Sequence, residues 1–168
     1  FDAVVLILGD KSIMIVFVVL FSGIFSCLIM DGWQQILKLV FGLPSSNWGV
    51  VGRWSIYVCT SGKVYHPSID LTDSIKNEVL VGWIVHYLVA LMYAISFWFL
   101  VEHFHILSRT ILDGLIFGAI SVAIPWIFFM PCLGKGFFAS QTPNPILACS
   151  LALVSHSVLG VALAISFS

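Results

Sequence analysis

The sequence predicts an all-α integral-membrane fold, a bundle of four transmembrane helices with a long, partly helical, membrane-associated first connection. Three observations carry that expectation. Hydrophobic residues make up 60% of the 168 and charged residues only 9%, whereas a soluble domain averages about 25% charged. Mean hydropathy is +1.09. The apolar residues also run in four blocks, each about as long as the 20 residues a helix needs to cross the hydrocarbon core. Seven Lys and Arg against eight Asp and Glu leave a net charge of −1. No basic run is present to neutralise phosphates, which removes nucleic acid as a partner and leaves the lipid bilayer.

The first span covers about residues 12–31, because Ser12 to Met30 contains no ionisable side chain. It lacks the basic start and small-residue cleavage pattern of a signal peptide. The apolar head, Phe1 to Gly9, is too short to cross and reads as a cropped start. Trp33 to Phe41 continues the helix until Gly42 and Pro44 stop it. The connection, 32–78, has room for more than a turn, but its longest uncharged stretch, Leu39 to Gly52, is broken by Pro44 and is too short for a fifth crossing.

Span two, about 79–101, holds His86 as its only ionisable group; span three, about 111–130, holds only Asp113; span four, about 146–167, holds only His156. Together the spans make one integral-membrane domain over 1–168. Lys38, Arg53, Lys63, Lys76 and Lys135 fall on one side and Lys11 and Arg109 on the other, which puts the first connection in the cytoplasm by the positive-inside tendency. Cys59 and Cys132 share that side, where a bridge would need an oxidising compartment, against the charge count.

An ionisable group at mid-bilayer costs roughly 2.5–3.5 kcal/mol on insertion scales, so the few present are candidates for function. At 1.5 Å per residue, His86 lies about 10 Å and His156 about 15 Å into their spans, both counted from the side of the first connection. Asp31, Arg53 and Asn144 belong to the same side. These five residues form the candidate polar pocket, gathered in one leaflet, for a small polar molecule, an ion or a lipid head group. Two readings of Asp31 stand open: an ion pair with Arg53, the nearest cation candidate in sequence, or a proton relay or cation site with His86 or His156. Asp113, four residues after Arg109, reads as a snorkelling group at the start of span three.

Gly82 lies one turn from His86 and Gly160 one turn from His156, which marks packed faces. Gly114 and Gly118 form a G-x-x-x-G pair, a candidate contact for a second copy. Trp33, Trp48, Trp54, Trp83 and Trp126 fall on the polar side and read as an interfacial belt. No metal-ligand spacing is visible in the chain, and Glu102-His103-Phe104-His105 lacks a third and fourth ligand. Two histidines on different spans invite a bis-His haem, but Trp83 and Tyr87 beside His86 and the small bundle argue for no cofactor. A membrane-embedded enzyme using either His as base is the alternative, without a nucleophile-base spacing to support it. An accessory subunit of a membrane complex is the third reading.

Four stretches together resemble a known family: Met30-Asp31-Gly32-Trp33; Phe41-Gly42-Leu43-Pro44-Ser45-Ser46-Asn47-Trp48 with Gly52-Arg53-Trp54; Gly82-Trp83 with His86-Tyr87; and Ala123-Ile124-Pro125-Trp126 through Pro131, Gly134, Gly136, Ala139-Ser140 and Thr142-Pro143-Asn144-Pro145. The combination is similar to the bacterial integral-membrane family known as domain-of-unknown-function 2938. The resemblance implies a small multi-pass protein of the bacterial inner membrane and supplies no activity.

Overall fold

A computed structural model describes residues 11–168 with their side chains and residues 2–10 only as the start of the first helix. The apolar head, Phe1 to Gly9, therefore lies outside the fully described residues. Helix α1 spans Asp2–Phe41, α2 Trp48–Ser61, α3 Glu78–Trp98, α4 Ile111–Ser121, α5 Met130–Cys132 and α6 Pro145–Phe167. No strand occurs among the described residues. Among those residues, four helical stretches are long and apolar enough to cross a membrane: Lys11–Phe41, Glu78–His103, Ile111–Cys132 and Pro145–Phe167. They match the four expected spans, and the first continues through the Trp33 to Phe41 segment.

Each boundary has a local cause. Gly42 takes a left-handed backbone, φ 65°, which ends α1 where a residue with a Cβ would be strained. Asn47 caps α2, its side chain accepting from the Val50 amide, and Gly62 closes that helix at φ 69°. With 14 residues, α2 is about 21 Å long at 1.5 Å per residue and does not cross. Thr110 caps α4 by accepting from the Asp113 amide. Asp113 itself accepts from the Ser108 amide and the Thr110 hydroxyl, so it closes a capping turn, and Arg109 pairs with Glu102 at 2.6 Å instead. That corrects the snorkelling reading.

The third span is not a regular helix. Pro125 has no N–H to continue the ladder, and Pro125–Phe129 widens into a π turn, with the Met130 amide donating to the Pro125 carbonyl. A second π turn, Phe99–His103, ends the second span.

Helix α1 packs on both α3 and α6, α4 packs on α6, and α2 packs on α3. Small residues set these contacts. A Cβ on Gly160 would lie 2.1 Å from the Gly114 carbonyl, and one on Gly118 2.2 Å from the His156 carbonyl, so α4 and α6 meet backbone to backbone. The Gly114 and Gly118 face expected to receive a second copy is thus occupied by the chain's own last span. Gly52 and Gly82 bring α2 and α3 equally close.

The main core joins Val19 and Met30 of α1, Tyr93, Ala94 and Phe97 of α3, Phe117 of α4, and Leu159, Leu163, Ala164 and Phe167 of α6. A smaller core, Val50, Trp54, Ile69, Cys132 and Leu133, holds the first connection against the end of the third span. The four cysteines are free, Cys59 and Cys132 among them.

Candidate functional site

Arg53 is buried on α2 because Gly52 lets this helix lie directly on α3. Its guanidinium makes a bidentate pair with Glu78, Nε to Oε2 at 2.8 Å and Nη2 to Oε1 at 2.9 Å. Nη1 donates to the carbonyls of Ile69, at 3.2 Å, and Thr72. Glu78 also accepts from the Ile75 amide at 2.8 Å. The hydrogen bonds donated to Glu78 raise the Arg53 pKa further above its ordinary value. Arg53 therefore folds the 62–78 segment onto α2 and α3. It does not pair with Asp31, the first of the two readings open in sequence, because Glu78 holds it at the start of α3.

Asp31 meets His86 instead. The His86 Nε2 lies 2.9 Å from Asp31 Oδ1 and 3.1 Å from Cys27 Sγ. Cys27 and Asp31 are four residues apart, one turn of α1, and so present the same face to α3. Cys27 Sγ lies 4.0 Å from Asp31 Oδ2, and the Tyr87 hydroxyl lies 3.5 Å from the same oxygen. Trp48 stacks on the His86 ring, centroids 3.7 Å apart and planes at 24°. Trp83 and Tyr87 approach the ring by their edges.

The sequence shows no metal-ligand spacing, yet the fold brings one ligating atom each from Cys27, Asp31 and His86 within 4.8 Å of one another. Their separation across two helices, 27 and 31 against 86, hides the group. Cys27 is not among the five candidate residues that the sequence offers.

The same contacts bear on the enzymatic alternative. In a nucleophile-histidine-acid triad the two partners occupy opposite ring nitrogens, so that a proton can pass through the imidazole. Here Cys27 and Asp31 converge on one nitrogen. The group is not wired as an acyl-transfer triad. Nor does His86 offer the arrangement a bis-His haem requires, since its Nε2 is turned toward α1.

His156, on α6, bonds through Nδ1 to the Ser121 hydroxyl at 2.9 Å. Ser121 donates its own proton to the Gly118 carbonyl at 2.8 Å, so Nδ1 is assigned as the donor and Nε2 as the ring's acceptor. Tyr93 packs edge-on against this ring, centroids 5.5 Å apart.

His86 and His156 line one cavity of about 360 Å³. Gln34, Ser45, Asn47 and Lys135 line its polar end, at the two connections, and Val89, Ala90, Leu151 and Leu159 line its apolar interior. The π turn at Pro125 opens the wall, with Pro125, Phe129 and Met130 all facing the space. Asp31 and Arg53 lie outside the lining. Asn144 does too: its side chain accepts from the Leu147 amide at 3.1 Å as the cap of α6, so this helix start is closed by its own cap. Asn followed by Pro at the first helical position is a cap signal that the sequence itself carries.

The family described as a protein of unknown function (DUF2938) matches over residues 20–167. No curated protein and no solved structure matches the chain.

Proposed function

Because the chain belongs to the DUF2938 family of proteins of unknown function, and membership assigns no activity, we propose from the geometry that it is an integral membrane protein that binds a small amphipathic molecule between its spans. The observation that carries this reading is the cavity bordered by two histidines from different helices, polar at one end and apolar inside. Such a mixed lining suits a ligand with a hydrogen-bonding head and an apolar body. Lys135 and Gln34 would take a lipid-like or anionic head group, and the His156 acceptor would take a donor carried deeper. We place the protein in the bacterial inner membrane, as the resemblance implies. Binding rather than catalysis is favoured because both partners of His86 share one nitrogen.

Native mass spectrometry of the full chain, released gently from detergent, tests the reading. Ala152 lines the cavity, whereas Val154, two residues on, is exposed on the outer face of the helix. The wild type and Val154→Trp should carry a co-purifying small-molecule adduct that Ala152→Trp, which fills the space, has lost. No adduct on the wild type, or the same adduct on both variants, would count against a ligand in this cavity.

A further inference from the structure

We propose that Cys27, Asp31 and His86 form a site for a divalent transition-metal ion of the zinc or cobalt kind, clamped between the first and second spans. Cys27 and Asp31 lie outside the cavity lining and His86 alone is shared with it, so metal binding at Cys27 and Asp31 and filling of the cavity at Ala152 are tested separately.

Hydrogen-bond bookkeeping shows why these three groups suit a cation. Nε2 of His86 carries either one proton or one lone pair, yet it has two neighbours at bonding distance, Asp31 Oδ1 at 2.9 Å and Cys27 Sγ at 3.1 Å. With a proton, it serves Asp31 Oδ1, and the thiol donates to Oδ2 over a long 4.0 Å. Without a proton, it accepts from the thiol, and its lone pair serves nothing on Asp31. Either way one of the three groups is left with only a weak bond or none. A cation at the centre removes the conflict, because thiolate, imidazole and carboxylate can each direct a lone pair at it.

The distances agree with that arrangement. With ordinary bond lengths of roughly 2.0–2.3 Å, the ligand-to-ligand edges of a tetrahedral site are about 3.3–3.6 Å. The contacts at 2.9 and 3.1 Å need to open by a few tenths of an ångström, and the Cys27 Sγ to Asp31 Oδ2 edge, at 4.0 Å, needs to close by about as much. Sulfur, nitrogen and oxygen together select a borderline ion over magnesium or calcium, which take oxygen. Thiolate and carboxylate carry the two negative charges that a divalent ion neutralises.

Enclosure completes the case. Cys27 is fully buried and His86 is 6% exposed. Trp48 fixes the plane of the imidazole, and the Tyr87 hydroxyl stands 3.5 Å from the second carboxylate oxygen, an outer-shell partner for a ligating Asp. Three protein ligands leave a fourth position for water, the pattern of a site that exchanges or activates a ligand rather than one that only holds the fold.

The test uses the untagged full chain in detergent, stripped with a chelator and titrated with Co²⁺ alone. The wild type should take up one ion per chain, with thiolate-to-cobalt charge-transfer absorption and the intense visible bands of tetrahedral Co²⁺, both bleached by added Zn²⁺. Cys27→Ser, nearly isosteric, should lose the charge-transfer band, and Asp31→Asn should weaken Co²⁺ binding by at least about 100-fold. His103→Gln with His105→Gln, in the exposed turn, should change neither signal. Zn²⁺ should raise the thermal midpoint of the wild type but not that of Asp31→Asn, a readout that remains if Cys27→Ser folds poorly. Absence of the charge-transfer band from monodisperse wild-type protein, or its persistence in Cys27→Ser, overturns the proposal. Neither failure touches the adduct lost in Ala152→Trp.

Discussion

Replacing Gly82 by Leu should unfold the contact on which the polar cluster stands, lowering stability by about 3 kcal/mol or more, which is roughly 10 °C in thermal midpoint for a chain of this size. A Cβ at Gly82 would lie 1.8 Å from the Trp48 carbonyl, and one at Gly52 would lie 1.8 Å from the Glu78 carbonyl. Backbone cannot swing aside as a side chain does, so the helices must separate. Separation takes Trp48 off the His86 ring and Arg53 away from Glu78. Gly32, where a Cβ would meet nothing within 4 Å, is the matched control, and Gly32→Leu should melt with the wild type. Equal midpoints for the two variants would show that α2 does not rest on α3 in this way.

His86→Leu and His156→Leu should differ sharply in thermal melts of the purified protein. The first leaves the Asp31 carboxylate, 15% exposed, without its 2.9 Å partner. Leaving a buried acceptor without its partner costs about 1–3 kcal/mol, and more where the acceptor is charged. Adding Asp31→Asn should restore part of that loss, because an amide costs less to bury unpaired than a carboxylate. His156→Leu removes one bond to Ser121, whose hydroxyl keeps the Gly118 carbonyl, a cost of about 1 kcal/mol. Equal losses from the two changes would deny the Asp31–His86 pair its structural weight.

The spans were legible because charge is so costly in hydrocarbon that its absence draws their outlines. Ser12 to Met30 and the three later blocks fall inside the observed helices. Gly42 and Pro44 marked the end of the long first helix, since few other residues stop one so abruptly. Partners across the fold were not legible. Asp31 and Glu78 lie 22 and 25 positions from Arg53, and only the Gly52–Gly82 crossing decides which carboxylate the guanidinium meets. Spacing rules find ligands that share a loop or a helix, and Cys27 and His86 share neither. Gly114 and Gly118 did announce a close helix contact, but a sequence cannot say whether the facing helix belongs to the same chain. The π turn at Pro125 had a signal in the proline itself, within a span that otherwise reads as continuous.

The central claim, that a water-accessible cavity bordered by His86 and His156 opens between the spans, is tested most directly by thiol labelling. With Cys59, Cys132 and Cys149 changed to Ser and the buried Cys27 kept, Ala152→Cys and Val154→Cys are exposed in membranes to a small, charged methanethiosulfonate. Ala152 faces the cavity and Val154 the outer surface of the same helix. Labelling should be fast at Ala152→Cys, where water ionises the thiol and admits the reagent, and slow at Val154→Cys, which hydrocarbon covers. A cysteine at 152 that labels no faster than one at 154 would contradict the cavity, and with it the binding function proposed for this bundle.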